Sequence, residues 1–80
     1  APMMETALKP DVSEEALASI VEQLTRCVKT NEVSMSVRAL CYVNLARIFK
    51  QHPSMEAADV SRMEVPDRLR QLAEPLLNSL

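Results

Sequence analysis

The residues able to do chemistry in this chain are few and far apart. One histidine, His52, and two cysteines, Cys27 and Cys41, make up its stock of imidazole and thiol groups. A general base needs a nucleophile or an orienting carboxylate within reach, and no such constellation accompanies His52. It stands before Pro53 at the end of a helical pattern, where it reads as a terminal residue compatible with the helix dipole. With a single histidine, a zinc site of ordinary composition and spacing is hard to build. Cys27 and Cys41 fall inside apolar-periodic segments. They read as two small buried hydrophobes in a reducing compartment in preference to a structural disulfide. The expectation is no catalytic residue, no metal and no cofactor.

Two other groupings carry more content. Arg38 projects near the middle of an apolar helical arc, one turn from that helix's start. It serves either as an anion contact or as an internal bond to Glu32 or to carbonyls of the preceding helix. A partly buried guanidinium needs an internal partner, so a structural role for Glu32 and Arg38 is expected. Asn44, Arg47, Lys50 and Gln51 form a narrow polar strip on the same helix. Such a strip is commonly a solvated face; here it is also the candidate contact patch for an acidic partner, with Arg62, Arg68 and Arg70 nearby in sequence. Met3, Met4, Met35, Met55 and Met63 gather toward element ends, where methionine fills gaps in a small core.

Composition narrows the classes further. Eighty residues allow one domain, and 48% hydrophobic with 25% charged residues suits a globular fold. A net charge of −2 and 2% aromatic residues provide neither the basic surplus nor the stacking platform of a nucleic-acid binder. There is no glycine, which argues against phosphate-cradling loops, dinucleotide fingerprints and tight hairpins. No apolar run approaches the ~18 residues that span a bilayer. The N-terminus lacks the basic and apolar regions of a signal peptide, so an intracellular protein is expected.

These residues must be held by helices, since no segment alternates with a period of two. Residues 1–10, bracketed by Pro2 and Pro10, read as a tail, and 11–80 as a single helical domain. A first helix over 12–29 is capped by Asp11, with Glu14 at capping-box spacing, or by Ser13. Its apolar arc is Ala16, Leu17, Ile20, Val21, Leu24, Cys27 and Val28, and Glu22 with Arg26 makes an i,i+4 pair. Asn31 is the left-handed residue expected after it in a chain without glycine. A second helix over 35–51, capped by Ser34 or Ser36, is apolar around most of its circumference and must be covered on at least two sides. A short helix over 55–61 follows Ser54. A last one over 66–79, with Pro66 at its first position, carries Leu69, Leu72, Ala73, Leu76, Leu77 and Leu80 on one face. Pro75 lies away from that face and should bend the helix without ending it. An apolar face closing at the very last residue points to a piece of something longer.

Residues 16–51, ALASIVEQLTRCVKTNEVSMSVRALCYVNLARIFKQ, resemble a HEAT or armadillo-type helical repeat. An apolar helix leads into a turn with an acidic residue, and Val37-Arg38 opens a second helix with Ala39, Leu45 and Ile48 in the family's pattern. Glu32 stands where the family usually has Asp. The tetratricopeptide pattern fits less well, since it asks for glycine in its first helix. The resemblance implies stacking, because one repeat cannot bury its own apolar faces, and it implies that the second helix lines a binding surface. The expected fold is all-α, about four helices, as a small bundle or an excised HEAT-like solenoid fragment. The expected function is a non-catalytic protein–protein interaction or scaffold module that presents a helical surface to a helix or extended peptide. The alternative is a structural or regulatory segment of an enzyme or oligomer, packing on its own chain or on a copy of itself. No nucleic acid or membrane partner is expected.

Overall fold

Serine, not glycine or aspartate, caps the starts of the two longest helices. In the computed structural model, which describes residues 2–53 and 63–79, Ser13 holds an extended backbone and its side chain accepts from the Ala16 N–H at 3.1 Å. Ser34 does the same for the Val37 N–H at 3.3 Å. Each satisfies one of the amide donors that a helix start leaves unpaired. The elements are α1 (Pro2–Leu8), α2 (Glu14–Lys29), α3 (Met35–Gln51) and α4 (Asp67–Asn78), with no strand among the described residues. The fold is an all-α small helical bundle.

Its first helix is not one of those read from the sequence. Residues 2–8 form α1 where a tail is expected, while the expected helix over 55–61 lies outside the described residues. A seven-residue helix is too short to be stable alone, so packing must hold it. Ala7 is fully buried, Met4 packs on the core, and α1 touches both α2 and α3.

α2 also ends differently. No described residue has positive φ, so Asn31 is not left-handed. Instead Thr30 turns extended at φ −77°, ψ 147°, its N–H still donating to the Arg26 carbonyl. Its hydroxyl oxygen then accepts from the Glu32 N–H at 3.2 Å. A threonine side chain thus closes a turn that glycine closes elsewhere.

α3 is the centre of the molecule. It packs against α2, α4 and α1, whereas the backbones of α2 and α4 do not closely approach each other among the described residues. Leu45 and Ile48 are fully buried within it, and Tyr42 and Val43 nearly so. Each such aliphatic side chain stabilises by about 1.5–3 kcal/mol on burial. From α2 come Leu17, Ile20, Leu24 and Val28, one face at helical spacing. α4 contributes only Leu69 and Ala73 as fully buried residues.

Pro66 precedes α4 as its cap residue and not as its first helical residue. The helix runs through Pro75, which is exposed, so the Gln71 carbonyl that lacks an N–H partner lies on a solvent-facing stretch. Its leucine face is only half used. Leu69, Ala73 and part of Leu77 pack inward, while Leu72 and Leu76 remain 38% and 43% exposed.

Candidate functional site

The broad apolar girth of α3 leaves one arc uncovered, and the candidate strip lies on it. Arg47, Lys50 and Gln51 are exposed and Asn44 is half-buried. Val37 and Leu40 continue the same arc toward the N-terminal end and are 44% and 52% exposed. Positions 37, 40, 44, 47 and 51 follow the three-and-four spacing that stacks side chains on one helix face. Val33, 37% exposed, precedes them in the connecting turn. The open face is therefore apolar at one end and basic at the other.

Composition alone makes Val37 and Leu40 part of the broad apolar girth of this helix, without saying which side of it stays open. The register that links them to Asn44, Arg47 and Gln51 was present in the sequence and would have placed them outside. At the basic end, α1 supplies a wall. Leu8 with Arg47, Lys50 and Gln51 lines an open depression of about 350 Å³. Three of the four strip residues thus converge on one concavity, and Asn44 sits farther along the helix.

Arg38 is not part of this face. It is 7% exposed, and its Nε donates to the Val28 carbonyl oxygen at 2.9 Å. Of the partners open to it, it takes a carbonyl of α2 and not Glu32, which is exposed and whose N–H is held by Thr30. Arg70 is likewise spent internally, with Nη2 donating to the Met63 carbonyl at 2.8 Å. Arg26 pairs with Glu22 on the exposed side of α2, a contact of small energetic weight.

His52 caps α3, its backbone N–H donating to the Ile48 carbonyl at 2.8 Å. Its Nε2 lies 2.6 Å from the Ala7 carbonyl oxygen, which can only accept. The ring therefore carries its proton there and ties the end of α3 to the last turn of α1. Among the described residues no group of three or more His, Cys, Asp or Glu is placed to hold a metal ion. No helix among them is long and apolar enough to cross a membrane.

Cys27 on α2 and Cys41 on α3 are both free and half-buried. Burial, reinforced by the neighbouring Cys27 thiol, pushes the Cys41 thiol up from 9.0 to about 12. A second, smaller cavity of about 240 Å³ is lined by Tyr42, Arg70, Glu74 and Leu77 between α3 and α4. No protein-family model, curated protein or solved structure matches the chain.

Proposed function

We propose that the chain is a protein–protein interaction module whose docking surface is the open face of α3. The observation that carries this reading is the continuous register from Val37 and Leu40 to Arg47 and Gln51, all exposed on the most buried helix. A partner helix or extended peptide would set apolar anchors on Val33, Val37 and Leu40. Its acidic groups would meet Arg47 and Lys50 beside the Leu8 depression. Rigidity favours such a role, since α3 is held from three sides and need not order on binding. The HEAT-like reading is of the same kind: a second helix packed on its predecessor, with one side left open to a ligand. On this reading the module is non-catalytic, works inside the cell, and belongs to a larger protein.

Selection of displayed peptides against the folded chain tests the proposal. Enriched sequences should combine an aliphatic pair with two or more acidic residues. Their affinity should fall at least tenfold in both Leu40→Glu and Arg47→Glu while helix content is unchanged. Enriched peptides indifferent to both substitutions contradict the assignment, as does the absence of enrichment.

A second reading has its own observation. Leu72 and Leu76, one turn apart on α4, are open to solvent and suit packing against further chain or a second copy. Sedimentation at rising concentration distinguishes the two: self-association abolished by Leu72→Glu and Leu76→Glu supports this reading, and a monomer throughout removes the copy.

A further inference from the structure

Two pairs of adjacent residues make both the depression beside α1 and the bond that holds α1 down. Leu8 and Gln51 line the depression, while their neighbours Ala7 and His52 form the 2.6 Å contact between carbonyl and imidazole. Leu8 therefore stands beside Arg47 and Lys50 only while α1 is docked. With seven residues α1 is too short to persist alone, so its docking depends on tertiary contacts. These are the burial of Ala7, the packing of Met4 on the core and the His52 bond. A short terminal element held in this way opens locally more readily than the core does. When it opens, Arg47, Lys50 and Gln51 stay on α3 and the apolar wall is gone.

We propose, resting on the reading of the α3 face as a docking surface, that α1 is a conditional wall of that surface, latched by His52 and drawn in by an acidic occupant. An occupant that packs on Leu8 and pairs with Arg47 finds its full site in the docked state and only half of it in the open one. That difference in affinity shifts the chain toward the docked state. By linkage the effect is mutual: the occupant tightens α1, and anything that loosens α1 weakens the occupant. Residues 2–8 thus set how well the basic end of α3 binds, without adding a charge that pairs with the partner.

The test uses the full chain and an acidic peptide selected on it by display, with hydrogen exchange of the amides of residues 6–9 as the readout. Among them is the Lys9 N–H, which donates to the Thr6 carbonyl at 3.2 Å. Peptide at about ten times its Kd should slow their exchange about tenfold, as for a ligand of the docked state alone. In the free chain, His52→Ala should speed the same amides about fivefold, the equivalent of one lost hydrogen bond. His52→Gln, whose side-chain amide also donates, should restore the slower rate. A peptide that still needs Arg47 but leaves these rates unchanged, or raises them, overturns the conditional wall and leaves the docking surface standing. Unchanged rates in His52→Ala overturn the latch. Failure to enrich any peptide that depends on Leu40 and Arg47 removes the docking surface and its wall together.

Discussion

The Nε of Arg38 donates to the carbonyl oxygen of Val28 at 2.9 Å, and this bond explains how a helical pair turns without glycine. In a continuing helix the Val28 carbonyl would receive the N–H of residue 32. Here the Glu32 N–H is turned to the Thr30 hydroxyl, and the guanidinium takes its place on the carbonyl. One charged side chain thereby satisfies the end of α2 and docks it on α3.

Arg38→Ala should therefore destabilise the fold by about 2–3 kcal/mol, because it removes a charge-assisted bond and leaves a carbonyl unpaired. Glu32→Ala should change stability by less than about 0.5 kcal/mol, as for an exposed residue without such a bond. Chemical denaturation of both variants checks the pair. Equal losses would mean that Glu32 shares the role.

The N-terminus of α2 offers a similar contrast. Ser13→Ala should cost about 1 kcal/mol, since its side chain caps the Ala16 N–H. Asp11→Ala, on an exposed residue outside the helix, should cost a few tenths at most. Thermal melts of the two variants measure the difference.

His52→Ala should release α1 selectively. The Ala7 carbonyl loses the imidazole N–H at 2.6 Å, for a cost of about 1 kcal/mol. Hydrogen exchange should quicken in residues 2–8 first and leave the amides around Leu45 and Ile48 protected. Uniform loss of protection would contradict a local role for this contact.

Stability should fall at alkaline pH through Cys41. The folded chain holds the thiol proton up to about pH 12, whereas an unperturbed thiol releases it near 9.0. Above that lower value the unfolded state binds fewer protons, so this contribution is complete below pH 9 and is lost as pH climbs toward 12. Cys41→Ser should flatten that part of the stability profile, with denaturant midpoints between pH 8 and 11 as the readout.

Periodicity placed α2, and the serine cap and the His52-Pro53 break bounded the evenly apolar α3, so that Lys29 and Gln51 fell at their ends. α1 escaped because seven residues carry no period; Ala7 is buried by contacts with helices far along the chain. Asn31 was assigned the left-handed turn from residue preference, yet the Thr30 hydroxyl provides a route that keeps φ negative. For the candidate site, the charged half was legible and the apolar half was not. Val37 and Leu40 are of core type, and their exposure depends on which sides of α3 the other helices cover.

On the proposed reading a partner lies along the open face of α3. Amide chemical-shift mapping with a display-selected acidic peptide tests it most directly. The largest shifts should fall on Val33, Val37, Leu40, Arg47 and Gln51, with those of α2's exposed side unchanged. Shifts centred instead on Leu72 and Leu76, or on the cavity lined by Tyr42 and Glu74, would contradict it.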